Sequence, residues 1–302
     1  MGARSALQIL GRPQYLFRPS QAAKRILRVV RGTKPQETVT LPWGLDIVVD
    51  TADTVGSAIA LQGAYDLVTT EVLWRLTAPG DKTIDVGAHV GYMSSVLAHR
   101  AGPSGSVLAF EPVPENFEGL KNNVQRWAAA PSVAPITLRN VALSNHRGRE
   151  TMLDVPTHRQ NKCWMHLPGW NHQPEALRPG VTVDVRRLDE FIGSEVGVIK
   201  LDVEYHEAQV LEGAGKLLNN VRDIVFEETA PYPQQSHKLL ERAGFRILWF
   251  EQRISGPRMV NPASAPRQRP YDTMPSYLAT KNYERAEGLL SKPGWQCLTY
   301  KN

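Results

Sequence analysis

The amino-acid sequence predicts an α/β protein with a mostly parallel sheet and helices on both faces. From residue 83 onward, short apolar segments of strand length alternate with segments whose apolar residues recur at helical spacing. Such alternation is typical of a parallel sheet, because a helical crossover must join each pair of parallel strands. The chain has 302 residues, 42 % of them hydrophobic, which is enough to bury a core of this kind.

The predicted elements follow one another in a regular order. A strand is expected at 45–49, and a helix over 68–76 that ends before Pro79-Gly80. Further strands are predicted at 83–86, 107–110, 141–143, 198–201, 223–226, 245–250 and 277–280. Helices are predicted around 90–97, 117–127, 210–218 and 239–243. Residues 151–180 lack a clean period, and the Pro-rich segment 256–275 is predicted to be a loop.

The distribution of charge divides the chain. We expect a basic N-terminal arm over 1–36, an extension over 37–80 that packs on the core, and the main domain over 81–302. The arm holds eight Lys and Arg residues and no acid, so the net charge of +5 leaves −3 on the remaining residues. A solvated arm is the simplest interpretation, and contact with an anionic surface such as lipid headgroups is the alternative.

Other features exclude several classes of protein. No stretch of 18 apolar residues is present, so no transmembrane helix is predicted. Cys163 and Cys297 are far apart and predict neither a disulfide framework nor a metal site, which favours a reduced, cytoplasmic protein. The residues that follow the arm are net acidic when taken together, which argues against nucleic-acid binding. A homo-oligomer and a catalytic metal held by Asp202 and Glu227 are left open.

A glycine-containing turn follows the strand at 83–86. Gly87 and Gly91 are spaced G-x-x-x-G, whereas a dinucleotide fingerprint needs a further glycine at the position of His89 to admit a pyrophosphate. The turn therefore suits a ligand without phosphate. The next strand ends at Glu111, and a carboxylate there can accept two hydrogen bonds from a ribose diol. Together these features predict a nucleoside-type ligand that carries a small zwitterionic end.

Several motifs in a fixed order carry a resemblance to a known family. They are IDVGAHVGY at 84–92, AFEPVPENF at 109–117, NVALS at 140–144 and IKLDVE at 199–204, with GAYD at 63–66 and YLAT at 277–280. Over about residues 60–282 the chain resembles the FkbM family of methyltransferases. The resemblance implies S-adenosylmethionine as cofactor and a Rossmann-like class I methyltransferase sheet of seven strands. It also implies O-methylation of natural products, sugars or related small molecules.

The family pattern, carried over by position, gives candidate cofactor residues. Asp85, Gly87 and Gly91 would border the methionine moiety, Glu111 would hold the ribose, and Asn140 would lie near the adenine. The full predicted set is Asp85, Gly87, Ala88, His89, Gly91, Tyr92, Glu111, Pro112, Asn140, Val141 and Ala142. Asn140 could instead order a turn, and Asp85 could organise the glycine turn without touching ligand.

The segment 200–207 has the highest density of titratable groups, at the predicted crevice. An alcohol acceptor must lose its proton as the new bond forms, so a positioned carboxylate or imidazole is useful. A carboxyl acceptor needs no base. Asp202 is the first candidate catalytic residue, followed by His206 and Glu204. The alternative for Glu204 is an interaction with the helix dipole alone.

The predicted acceptor-binding residues are Tyr205, Glu227, Trp164 and Lys200. Lys200 could also serve only to balance the charge of Asp202 or Glu227. The family usually has glycine where this chain has Tyr205, which could stack on an acceptor, supply its hydroxyl, or point away as packing. Trp164 lies in the irregular region 151–180, which is expected to form a loop over the crevice.

These features predict an S-adenosylmethionine-dependent O-methyltransferase that acts on a hydroxyl, or a carboxyl, of a small molecule or sugar. One alternative is a non-catalytic protein that binds the cofactor while Tyr205 blocks the acceptor. The other is a nicotinamide-dependent oxidoreductase, against which the missing G-x-G-x-x-G motif counts.

Overall fold

The computed structural model describes residues 12–21, 34–154, 167, 178–264 and 276–300. Most of the predicted arm and most of the predicted loop 151–180, including Trp164, lie outside these residues. Within them, no helix combines the length and the apolar character needed to cross a membrane.

The secondary structure follows the predicted alternation. The strands are β1 (Gln36–Thr40), β2 (Asp46–Asp50), β3 (Lys82–Val86), β4 (Ser106–Phe110), β5 (Ile136–Arg139), β6 (Ala142–Leu143), β7 (Gly148–Asp154), β8 (Arg178–Arg186), β9 (Val196–Leu201), β10 (Val221–Glu227), β11 (Arg246–Arg253), β12 (Gly256–Val260) and β13 (Ser276–Thr280). The α-helices are α1 (Pro13–Leu16), α2 (Thr54–Gln62), α3 (Leu67–Leu76), α4 (Tyr92–Ala101), α5 (Pro114–Trp127), α6 (Glu207–Ala214), α7 (Gln235–Arg242), α8 (Tyr283–Leu290) and α9 (Gln296–Thr299). Short 3-10 helices cover Leu188–Glu190, Gly215–Asn220 and Pro262–Ser264.

The central sheet has the strand order β12-β11-β13-β10-β9-β3-β4-β5. The five strands from β10 to β5 are parallel neighbours, and β13 is inserted antiparallel between β10 and β11. The predicted mostly parallel sheet is confirmed. The expected strand number was wrong, because residues 256–260 form β12 on the edge beside β11. Pro257 suggested a loop, but an edge strand tolerates a proline because one side of it makes no ladder bonds.

Helices cover both faces of this sheet. Successive residues of β9 point to opposite faces, so Val198 joins the core cluster that contains α3 and α4, whereas Ile199 joins the cluster that contains α6. All six residues of β9 are buried, as expected for a strand covered on both sides.

The order in which the chain adds strands to the sheet reverses between β3 and β9. From β3 the chain adds β4 and β5 on one side and later adds β9 and β10 on the other. In open parallel sheets a ligand crevice forms at such a switch point, beyond the carboxyl ends of the strands. The backbone N–H of Asp202, just after β9, donates to the Val86 carbonyl at the end of β3 (3.2 Å).

Two predictions about the middle of the chain were wrong. The third parallel strand of the central sheet is β5, whereas the predicted strand at 141–143 largely forms β6. β6 belongs to a separate sheet of order β6-β8-β7, whose strands enter the region predicted to be irregular. The sequence signal of β5 is weak because this edge strand is buried on one side only, with half-buried and exposed residues in alternation.

The predicted extension shares the main core. Helix α3 is buried along its whole length, and its Glu71 and Arg75 form a fully buried ion pair (2.6 Å). Glu71 accepts the backbone N–H groups of Gln296 and Cys297, while Arg75 donates to the Gly294 carbonyl. The C-terminal helices are therefore tied to α3 by charge-assisted hydrogen bonds in an environment without water.

Candidate active site

The glycine turn after β3 is held against the loop after β9. Gly87 has φ +78°, and a Cβ on it would lie 1.9 Å from the Asp202 carbonyl oxygen. Gly91, with φ +95°, begins α4, and a Cβ there would lie 2.7 Å from Leu120. Both positions need glycine, for conformation and for close approach. Gly91 therefore supports the turn through packing.

Glu111 lies where the turns after β3 and β4 meet. One carboxylate oxygen accepts the backbone N–H of His89 (2.8 Å), and the other accepts that of Val113 (3.0 Å). Burial raises the pKa of Glu111 to about 7. The side chain is also hydrogen-bonded to Asn116, so three of its acceptor sites are used and one stays available, and it lines the cleft described below. The carboxylate thus fits the ribose diol of an S-adenosyl cofactor.

The Lys200 side chain connects the glycine turn after β3 with the loop after β9. Its ammonium lies 3.5 Å from the carboxylates of both Asp85 and Asp202 and donates to the Gly87 carbonyl (2.7 Å). Burial disfavours the charged ammonium, but the two carboxylates outweigh it, so the pKa of Lys200 is raised. The expected pairing of Lys200 with Asp202 is confirmed. Asp85 is fully buried and also accepts from Ser94 (2.5 Å), a position in which it organises the turn.

A cleft opens at the switch point, with about 1030 Å³ of empty space including its mouth. Most of the predicted site residues line it: Gly87, Ala88, His89, Tyr92, Glu111, Pro112, Val141, Ala142, Lys200, Asp202, Glu204, His206 and Glu227. Residues that the sequence analysis missed also line it: Tyr65, Val113, Asn116, Met152 and Leu167. Asn116 is hydrogen-bonded to Glu111. Its position in the first turn of α5, close after Glu111 in the sequence, could have indicated that it belongs to the site.

Asn140 orders the turn after β4. Its side-chain amide donates to the carbonyl oxygens of Glu111 (2.8 Å) and Pro112 (3.0 Å). This arrangement favours a structural role over contact with adenine, although the bonds go to the neighbouring turn and not to the backbone of Asn140 itself.

Asp202, Glu204 and Glu227 line the other end of the cleft, and Asp66 lies close enough to interact electrostatically with Asp202 and Glu227. We call these four carboxyl groups the acidic cluster. Burial, together with repulsion from Asp202, raises the pKa of Glu204 and of Glu227 well above the usual range. Burial also raises the pKa of Asp66 to about 6. Neighbouring carboxylates cannot all ionise freely, so this end of the cleft retains protons.

Glu207 begins helix α6 behind this cluster. Its carboxylate accepts the Val203 backbone N–H (3.1 Å), and burial raises its pKa to about 8. Within the described residues, no three His, Cys, Asp or Glu side chains are arranged to hold a metal ion.

His206 is buried at the cleft wall, immediately before α6. Its Nε2 lies 3.0 Å from Oγ of Ser144, which follows β6 and is itself buried. No sequence pattern indicated this contact, because Ser144 follows a strand of the smaller sheet and His206 follows β9 of the central sheet.

Tyr205 adopts the left-handed conformation with φ +69°, next to Glu204 with φ +50°. Its side chain lies in a small crevice beside the cleft, where it is hydrogen-bonded to Thr229. Glycine adopts the left-handed conformation without steric cost, which explains why the family usually has glycine at this position. The position favours the packing alternative over a ring that stacks on an acceptor.

The sheet order and the site at its switch point define the class of Rossmann-like methyltransferases. The family described as the methyltransferase FkbM domain matches residues 85–247, which is more than half of the chain. The chain belongs to this family and is an S-adenosylmethionine-dependent methyltransferase.

Known relatives are similar at low identity. Hexuronic acid methyltransferase AglP of Haloferax volcanii is 27 % identical over 188 residues, which cover 61 % of this chain and 70 % of that protein. The 31-O-demethyl-FK506 methyltransferase FkbM of Streptomyces tacrolimicus is 30 % identical over 163 residues, 45 % of this chain and 60 % of that protein. A crystal structure of a methyltransferase FkbM from Methylobacillus flagellatus is 16 % identical with a TM-score of 0.41. The match covers 74 % of this chain and 52 % of that one.

Proposed function

We propose that this methyltransferase transfers a methyl group to a hydroxyl oxygen of a small molecule or sugar. The observation that carries the proposal is the single cleft that joins a ribose-type site at Glu111 to a cluster of proton acceptors. The names of the relatives, one for a hexuronic acid and one for 31-O-demethyl-FK506, agree with an acceptor of this class. The acidic cluster would repel a carboxylate at the reacting position, which favours the hydroxyl over the carboxyl alternative.

The chain's own residues would hold the cofactor in the orientation that transfer requires. S-adenosylmethionine supplies an electrophilic methyl group on a positively charged sulfur. Glu111 accepts the ribose hydroxyls, and the turn at Gly87 lets the backbone approach the amino-acid end of the cofactor. The negative charge of Asp202 would stabilise the positively charged sulfur of the bound cofactor.

The acceptor hydroxyl needs a partner that takes its proton. Asp202 is held by Lys200, so its carboxylate is fixed in place to accept a hydrogen bond from the hydroxyl and orient it. His206 lies at the same end of the cleft, and a neutral imidazole accepts protons efficiently near pH 7. We therefore propose His206 as the base and Asp202 as the residue that aligns the acceptor.

Transfer from labelled S-adenosylmethionine to pairs of sugars and their uronic acids tests this proposal. We expect methylation on hydroxyl oxygens, and a loss of about 100-fold in kcat for His206→Gln with unchanged affinity for S-adenosylhomocysteine. Tyr205→Phe is the control, because its ring lies beside the cleft, and we expect it to keep most of the activity. Products methylated only on carboxyl oxygens would contradict the proposal.

A further inference from the structure

Methylation of a hydroxyl releases one proton for each turnover. The acceptor oxygen forms a bond to carbon, the carbon–sulfur bond breaks with its electron pair left on sulfur, and the O–H proton must leave. This inference rests on the proposed hydroxyl acceptor and concerns the route of that proton. His206 is buried between the cleft and the smaller sheet, so its contacts on the side away from the cleft offer a route to water.

Three side chains continue from His206 to the protein surface. Ser144 Oγ lies 3.0 Å from His206 Nε2 and 3.3 Å from His146 Nδ1. His146 Nε2 lies 2.7 Å from a carboxylate oxygen of Glu150. Ser144 is only 1 % exposed, whereas the His146 side chain is 46 % exposed. We propose that Ser144, His146 and Glu150 form a proton relay that carries the acceptor proton from His206 to solvent.

The donors and acceptors are ordered for transfer in this direction. A proton that reaches the His206 ring from the cleft leaves through Nε2 to Ser144 Oγ, and the Ser144 hydroxyl proton passes to Nδ1 of His146. His146 is then an imidazolium. Its two N–H groups face Asn145 Oδ1 (3.0 Å) and Glu150, both of which stabilise a positive ring. From there the proton exchanges with water.

The relay is held by the elements around it. The Ser144 backbone N–H donates to the Arg186 carbonyl at the end of β8 (2.9 Å). Arg187 donates to the Asn145 carbonyl (3.0 Å), and the Asn145 amide donates to Glu212 on α6 (2.7 Å). The Asn145 oxygen is therefore oriented toward His146. The backbone of Ser144 is thus held by β8, and Asn145 is held by Arg187 and by α6.

Charged groups surround the relay at both ends. At the surface they are Glu150, Arg187 and Glu212, and at the cleft they are Asp202, Glu204, Lys200 and Glu207. A change in the pH profile of a relay variant must therefore be compared with that of a variant outside it. Arg149 on β7 provides this control. It lies between His146 and Glu150 in the sequence, but its exposed side chain pairs with Asp184 and is not part of the relay.

The first test is kinetic and uses a hydroxyl acceptor that wild type methylates. We expect Ser144→Ala and His146→Ala to lower kcat about tenfold with unchanged affinity for S-adenosylhomocysteine. Added imidazole should restore His146→Ala, whose site is open to solvent, but not Ser144→Ala. Ser144→Thr keeps the hydroxyl and should retain most of the activity, and Arg149→Ala should match wild type. Wild-type rates in both alanine variants would overturn the relay.

The second test does not depend on turnover. Nitrogen-15 spectra of the histidine side chains report which ring nitrogen carries the proton, and Ser144→Ala should change this for His206 and His146. Unchanged spectra would overturn the relay. If the wild-type protein binds S-adenosylmethionine but methylates only carboxyl oxygens, the proposed function is refuted. The spectra would still show whether the hydrogen bonds of the relay exist, because they do not depend on turnover.

Discussion

Protonation of Glu111 should control the affinity of the cofactor. Its pKa is raised to about 7 by burial, so the carboxylate titrates within the range in which the protein can be studied. In the proposed role the ionised carboxylate accepts the ribose hydroxyls, and the protonated form loses part of this capacity. Affinity should therefore approach its maximum at about one pH unit above this pKa and decline as the pH falls through it.

The size of the effect follows from this pKa. If only the ionised form binds, the apparent dissociation constant increases about tenfold between pH 8 and pH 6, which corresponds to about 1.4 kcal/mol. Asp66 also titrates nearby, with a pKa of about 6, but it lies at the acceptor end. Asp66→Asn keeps a side-chain acceptor for the Thr69 N–H and should leave the tenfold change in place.

Calorimetric titration with S-adenosylhomocysteine and with adenosine between pH 5.5 and 8.5 measures this dependence. Adenosine has no group that titrates in this range, so its affinity reports the protein alone. Glu111→Gln should bind more weakly at pH 8 by about tenfold, because an amide offers a single acceptor oxygen, and its affinity should not vary with pH. A wild-type affinity that stays constant from pH 8 to pH 6 would refute the role given to Glu111.

Three further outcomes are expected. Tyr205→Gly should be more stable than Tyr205→Ala by about 1 kcal/mol in denaturant unfolding, because only glycine is relaxed at φ +69°; an alanine variant of equal stability would contradict this. Glu207, with its pKa raised to about 8, destabilises the fold increasingly as pH rises from about 4.5 to 8, so Glu207→Gln should raise the free energy of unfolding by roughly 4 kcal/mol at pH 8 and by about 1 kcal/mol at pH 5. Arg75→Met leaves Glu71 buried without its partner and should cost about 3–5 kcal/mol, measured by thermal unfolding. A cost below 1 kcal/mol would mean that the pair is dispensable.

The cofactor end of the site was predictable because its signals are local. Gly87 and Glu111 each follow directly after an apolar strand, and consecutive strands of a parallel sheet usually lie side by side. The carboxyl ends of β3 and β4 therefore had to meet. The same reasoning placed Lys200 and Asp202 at this edge, since they end and follow a third buried strand.

The support around the site depends on contacts that sequence patterns do not report. Ser144 meets His206 across 62 positions of sequence, and the contact exists only because β6 leaves the central sheet to pair with β8. β5 was missed for a related reason, since a strand with one half-exposed face has a weak apolar signal. Tyr65 reaches the cleft from the predicted extension, where no motif indicated a direction for its side chain.

The presence of Tyr205 where the family has glycine does not require a blocked site. A left-handed backbone at a bulky residue costs about 1–2 kcal/mol, and such strain persists where surrounding contacts compensate for it. Here the phenol is hydrogen-bonded to Thr229, which follows β10. This hydrogen bond connects the loops after β9 and β10 and offsets part of the conformational cost. Tyr205 lines the small crevice, whereas Asp202 lines the cleft, whose lining does not include Tyr205. The phenol in place of glycine is therefore no reason to infer that the acceptor end of the cleft is blocked.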